Sequence, residues 1–178
     1  MSELTTRAAT RADVEAITAI YAGHVLHGTA TFEITPPDVA EMTARMRAIA
    51  DAGHPWIVAA RGGTVVGYAY AGPYRARPAY RYTTEDSIYL APDAVGQGIG
   101  RRLIERHEAA ARAGDYRQIE FNTFNHFPGM QRVGVALGYR PIGVEQHLGT
   151  EYDLAIRFGK PLQAAATDAD IAEVAGVK

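Results

Sequence analysis

Glu85 stands inside the run "TEDSIYL" (Thr84 to Leu90), and three glycines, Gly96, Gly98 and Gly100, follow in "VGQGIGRR" (Val95 to Arg102). A carboxylate held in a strand can take a proton. A glycine-rich turn between a strand and a helix can hold a phosphate, because its N–H groups and the helix dipole aim at the anion and no Cβ stands in the way. The plainer reading of the glycines is a turn before a helix, but three within five residues cost much backbone entropy. Two familiar phosphate loops fail on spacing. A nucleotide P-loop ends in Gly-Lys-Ser/Thr, and here Arg101 follows Gly100. A dinucleotide fingerprint places its third glycine three positions after the second, whereas these are spaced two and two. What is left is an anion cradle built of backbone amides.

Strand alternation places Glu85, Ser87 and Tyr89 on one face and Asp86, Ile88 and Leu90 on the other. The plainer reading of Glu85 is an exposed carboxylate. Arg75 and Arg77 stand two apart in "YRARP". If that segment is extended, they share a face and can clamp a carboxylate with their planar forks; otherwise they are solvated loop charges. His24 and His27 lie one turn apart but have no accompanying ligand pattern. Asp168 and Asp170 read as solvated charges.

These residues need elements to position them. Leu4 to Ala9 reads as a first strand, and Thr10 as the N-cap of a helix whose stripe is Val14, Ile17, Tyr21 and Val25, with Asp13 favouring its positive end. "HGTATFE" (His27 to Glu33) breaks that helix. Thr35-Pro36-Pro37-Asp38 starts another, with proline in its first turn and Met42, Met46 and Ile49 on its buried face. Pro55 to Arg61, Gly62-Gly63 and Thr64 to Gly72 form a hairpin. A loop, Pro73 to Arg81, leads to a fourth strand and then a helix from about Ile99 to Ala113, whose inner face is Leu103, Ile104, His107 and Ala111. Tyr116 to Thr123 reads as a strand, Met130 to Leu137 as a helix, and "GYRPIGVEQHLGTEYDLAIRF" as two closing strands. From Gln163 the chain turns small, polar and alanine-rich. We expect one domain over residues 1–162 and a tail, disordered or loosely docked, over 163–178.

Bulk composition narrows the classes. The chain has 178 residues, of which 47% are hydrophobic and 21% charged. At this size about 70% of the unfolded surface can be buried, so no disulfide or metal staple is needed. A net charge of −2 argues against a general nucleic-acid binder. No apolar run reaches membrane-spanning length, and the first residues lack a signal peptide's apolar core, so a cytoplasmic location is expected. Without cysteine there can be no thiol nucleophile.

"SIYLAPDAVGQGIGRRLIE" (Ser87 to Glu105) resembles the acetyl-CoA-binding motif of the GNAT acetyltransferases. "TATFE" (Thr29 to Glu33), "PWIVA" (Pro55 to Ala59), "VVGYAYAGPYRARPAYR" (Val65 to Arg81) and "TEDSIYL" resemble the phosphinothricin and methionine-sulfoximine N-acetyltransferase branch, and the likeness runs from about Thr6 to Leu162. It implies an α/β (α+β) acyl-CoA N-acyltransferase fold: a central mixed, mostly antiparallel sheet of about seven strands flanked by about four helices. It further implies acetyl-CoA as co-substrate, an amino acid or amino-acid analogue as acceptor, a homodimer, and Glu85 as general base. Ile88, Tyr89 and Leu90 would pair with the pantetheine arm, and Val95, Gly96, Gln97, Gly98, Ile99, Gly100 and Arg101 would hold the pyrophosphate, with Asn125 as a further coenzyme contact. Phe32, Tyr74, Arg75, Arg77 and Tyr80, joined by Tyr70, would line the acceptor pocket.

The sequence departs from this pattern in places. Val95 replaces the usual glutamine or arginine, Phe127 the asparagine and Met130 the serine. Gly134 stands where the family places a histidine or tyrosine that can protonate the leaving thiolate. The insert before the last strand, usually lysine-glycine-tryptophan-like, is missing from "LGTEYDLAI". Two rival readings follow: the same fold acetylating another small amine or a protein N-terminus, and a catalytically silent acyl-CoA-binding module.

Overall fold

Gly62 and Gly63 adopt φ of +56° and +86°, a left-handed pair that reverses the chain tightly between two strands. Around this hairpin the computed structural model describes residues 2–114, 116–124, 127–146 and 154–162. In chain order the elements are β1 (Leu4–Ala8), α1 (Val14–His27), α2 (Val39–Asp51), β2 (Trp56–Arg61), β3 (Thr64–Pro73), β4 (Thr83–Leu90), α3 (Ile99–Ala113), β5 (Gln118–Phe124), α4 (Pro128–Ala136), β6 (Arg140–Gln146) and β7 (Leu154–Pro161). The strands form one sheet in the order β1-β2-β3-β4-β5-β7-β6. Only β4 and β5 run parallel; every other neighbouring pair is antiparallel. This is the mixed α+β sheet that the sequence resemblance implied.

The start of α1 differs from a simple Thr10 cap. Arg11–Asp13 form a 3-10 turn, and the Asp13 carboxylate accepts from the Thr10 backbone N–H at 2.7 Å and from both Arg7 Nη atoms at 2.7 Å. The Arg7 guanidinium is the main reason the Asp13 carboxyl is held well below its ordinary value. At α2 the prolines precede the helix rather than occupying its first turn. Asp38, in extended geometry, is the cap and accepts from the Glu41 N–H at 2.7 Å.

Strand alternation divides the core into two layers. On one face α1 and α2 cover Trp56, Val58, Tyr68 and Tyr89 with Ile17, Tyr21 and Met42. On the other, α3 and α4 cover Ile57, Ala59, Ile119, Phe121 and Phe158, with Leu103 and Ile104 reaching in from α3. β2 is buried on both faces, which its continuous apolar run requires. No helix of the described residues is long and apolar enough to cross a membrane.

Candidate active site

β4 carries the expected alternation. Tyr89 packs edge-on to Tyr21, with ring centroids 4.9 Å apart, on the α1/α2 face. Asp86 hydrogen-bonds His107 of α3 on the opposite face, both side chains fully buried. Glu85 therefore lies on the α1/α2 face, partly exposed. Across the ladder Glu85 meets Gly72 of β3, and Tyr70, the partner of Ser87, lies diagonally from it on the same face. Burial raises the Tyr70 phenol, a hydrogen bond with Ser87 lowers it, and the Glu85 charge raises it again. The net direction is upward, so Tyr70 sits beside the carboxylate as a neutral group.

The ladder between β4 and β5 is short. Thr83, Thr84 and Glu85 pair with Gln118, Ile119 and Glu120, and there the pairing stops although both strands continue. Beyond Glu85 the two parallel strands part. The β4 edge through Ile88, Tyr89 and Leu90 then faces a widening slot rather than a neighbouring strand. A ligand arm carrying amide groups can add to such an edge as a further strand would. One group there already has a partner: His24 Nε2 lies 2.8 Å from the Leu90 carbonyl oxygen. That contact is what the His24/His27 spacing hid.

At the end of the slot a 3-10 turn (Pro92–Ala94) delivers the chain to the glycines. Gly96 and Gly98 have φ of +79° and +75°, the left-handed conformation that side chains resist, and Gly98 is the N-cap of α3. A Cβ added at Gly96, Gly98 or Gly100 would meet nothing within 4 Å, so the turn opens onto clear space at the positive end of a four-turn helix. That geometry fits a pyrophosphate. Around it Val95 is 63% exposed, the Gln97 amide donates to the Asp93 carbonyl at 2.6 Å, and Ile99 is buried. Arg101 pairs with Glu105 at 2.9 Å, a surface pair one turn along the helix. Asn125 lies outside the described residues.

The acceptor-side residues are placed less tidily. The chain bends at residues 74, 76 and 77, so the extended segment on which a shared face for Arg75 and Arg77 depended does not exist. The Arg75 guanidinium lies 5.0 Å from the centre of the Tyr74 ring, while Arg77 is exposed and leads into the 3-10 turn Pro78–Tyr80. Tyr74 and Tyr80 meet edge to face with centroids 5.5 Å apart. Phe32, 55% exposed, belongs to the segment joining α1 and α2.

Three residues of this face carry no local signal in the sequence. Asn122 of β5 donates to Glu85 Oε1 at 2.7 Å. Arg157 of β7 donates to the Tyr74 hydroxyl at 2.8 Å, and its Nε lies 3.5 Å from Glu120 Oε2. Alternation within "IEFNTF" does put Glu120 and Asn122 opposite Ile119 and Phe121, but nothing local says which strand lies beside them. Gly134 also gains a reason: a Cβ there would fall 2.6 Å from the Phe121 ring, so the position where the sequence resemblance implied a proton donor is closed by packing.

Comparison with known proteins agrees with this architecture. The acetyltransferase (GNAT) family model matches residues 17–139. Over 110 residues the chain is 56% identical to a phosphinothricin N-acetyltransferase of Alcaligenes faecalis, covering 62% of this chain and 56% of that protein. Over 103 residues it is 39% identical to an L-methionine sulfoximine/L-methionine sulfone acetyltransferase of Salmonella typhimurium, covering 58% of this chain and 60% of that one. The match thus spans a little over half the length of these curated relatives. Among solved structures, a GNAT phosphinothricin acetyltransferase from Sinorhizobium meliloti in complex with AcCoA superposes with a TM-score of 0.87 at 37% identity, covering 94% of this chain and 93% of that one. With the forked sheet, the glycine turn and the matched segment in agreement, the chain belongs to the GNAT acetyltransferase family.

Proposed function

We propose that this chain transfers an acetyl group from acetyl-CoA to the primary amine of an amino acid or amino-acid analogue, with Glu85 as general base. The observation that carries the reading is the parting of β4 from β5 immediately after Glu85, with the open glycine turn at the far end of the same strand. When bound, acetyl-CoA supplies an acyl group already activated as a thioester. The chain's part is to hold the pyrophosphate on the amides around Gly96–Gly100, align the pantetheine arm along Ile88–Leu90, and take a proton at Glu85. That last step matters because an amine of lysine-like basicity lies about 3.4 units above neutral pH, so freeing its lone pair costs about 4–5 kcal/mol. Arg75, beside Tyr74 and Tyr80, supports a carboxylate-bearing acceptor, and the names of the phosphinothricin and methionine-sulfone relatives support the same class. The expected working form is a cytoplasmic homodimer of the domain over residues 1–162, which light scattering of the purified chain would test.

The test of function is a thiol-release assay across an amino-acid panel that includes phosphinothricin and methionine sulfone, paired with calorimetric titration of coenzyme A. Glu85→Gln should slow turnover by about 10²–10⁴ while coenzyme binding holds. The closed site at Gly134 favours a second reading, a silent acyl-CoA-binding module. Tight coenzyme binding without turnover on any amine would select it.

A further inference from the structure

Past the last β4–β5 rung, Glu85 with Glu120, the strands separate and Asn122 is the next β5 residue on the Glu85 face. Its side chain reaches back across the gap, and Nδ2 donates to Glu85 Oε1 at 2.7 Å. Only the amide nitrogen can serve here, since an ionised carboxylate accepts and never donates. We propose that Asn122 is the positioning residue of the acetyl-transfer reaction, fixing the plane of the Glu85 carboxylate and favouring its ionised form.

The inference rests on Glu85 being the base, and it adds a partner that neither the family match nor the glycine and strand motifs assign. By engaging one oxygen, Asn122 sets the direction of the other. A side chain on a strand bordering an open slot has rotamer freedom, and a misplacement of about 1 Å at the reacting atoms can cost about 10²-fold in rate. An amide suits the task because it does not titrate and so never competes for the proton.

Several charges and dipoles bear on the same carboxylate. Tyr70 faces it from β3 and is kept neutral by burial. Glu33 and Arg45 act on this face as an ion pair at 2.7 Å. From β5 comes Glu120, the Cα partner of Glu85, which is paired with Arg157 of β7 at 3.5 Å. Against that mixed field, a hydrogen bond donated directly to the charged form lowers the proton affinity of Glu85. Removing it takes away a contact that the charged form accepts and the protonated form accepts less well.

The test uses the full chain with carboxyl-13C-labelled glutamate. The Glu85 resonance is assigned by its disappearance in Glu85→Gln and titrated in the wild type, Asn122→Ala and Asn122→Gln. Asn122→Ala should raise the Glu85 midpoint by about one pH unit, and Asn122→Gln, which keeps an amide, should recover part of the shift. With phosphinothricin and acetyl-CoA as substrates, the acid limb of kcat/KM should rise by the same amount and kcat should fall about 10–100-fold, with acetyl-CoA affinity unchanged. A Glu85 midpoint in Asn122→Ala equal to the wild type overturns the positioning role whatever the activity shows. Full activity in Glu85→Gln would instead remove Glu85 as the base, a separate failure that the titration does not depend on.

Discussion

Glu85 and Glu120 are Cα partners on the final rung joining β4 to β5, so two carboxylates share one face at the point where the sheet opens. Glu120 is the buried one, 4% exposed, and two groups hold it: the Gln118 amide, which hydrogen-bonds Oε1, and Arg157 Nε, 3.5 Å from Oε2. Glu85 is left partly open to the slot. The fork thus separates a structural carboxylate from one that can meet a substrate.

Removing one member of the Glu120–Arg157 pair takes the opposite charge away from the other, leaving Glu120 only its neutral Gln118 contact or Arg157 its contact with the Tyr74 hydroxyl. Glu120→Leu and Arg157→Leu should each destabilise the protein by about 3 kcal/mol, at the lower end for a buried pair because Arg157 retains some exposure. The double variant should recover most of that loss. Urea unfolding of the three variants supplies the cycle, and strictly additive losses would show that the two side chains do not interact.

Phe121 closes the position of Gly134. Gly134→Ala should cost about 1–3 kcal/mol because its Cβ would fall on the ring carbons Cζ and Cε1. In a Phe121→Leu background the same change should cost clearly less. Thermal melts of the two pairs read the difference. Restoring a tyrosine at 134 should therefore not raise turnover unless residue 121 is trimmed as well.

Gly98 and Gly100 separate backbone strain from cradle space. Gly98→Ala forces a side chain into φ of +75° and should lower stability by about 1–2 kcal/mol. Gly100→Ala lies inside α3 with open space around it and should raise stability by about 0.5–1 kcal/mol. Both place a methyl group on the turn, and both should weaken coenzyme A at least tenfold by calorimetry if the phosphates sit there. Melts moving apart while affinities fall together would be the signature.

His54 makes stability depend on pH. It is 8% exposed, with the Tyr116 hydroxyl 3.2 Å from Nδ1, and burial holds its imidazole below the ordinary value of 6.5. The unfolded chain takes up this proton near pH 6.5 while the folded one resists it, so unfolding binds protons and stability falls as pH drops through that value. The decline should stop below the folded midpoint. His54→Gln should remove this part of the slope in urea unfolding followed from about pH 7.5 to about pH 5.

Much of the fold is legible in short-range sequence signals. The Gly62-Gly63 reversal, the α3 stripe and the strand-turn-helix passage after Glu85 all depend on residues close in sequence, where periodicity and turn chemistry act directly. Asn122 and Arg157 are not legible in this way because their importance comes from strand neighbours. β5 lies beside β4 only after the chain has passed through α3, and β7 inserts between β5 and β6. Arg75 and Arg77 err in the other direction: their spacing means a shared face only on a strand, and the chain bends at residues 74, 76 and 77. Pro36 and Pro37 look like first-turn residues by composition, yet Asp38 captures the Glu41 N–H and moves the helix start past them.

A sheet that splits along one seam is only partly zipped. Any strand-like molecule that fills the split would complete the backbone pairing of β4 and at the same time stitch the β1–β4 half to the β5–β7 half, so occupancy and mechanical integrity become one quantity. Each tenfold increase in such a molecule above its dissociation constant would add about 1.4 kcal/mol to the resistance of the whole chain to unfolding. Heat resistance inside a cell would then rise and fall with its supply of coenzyme.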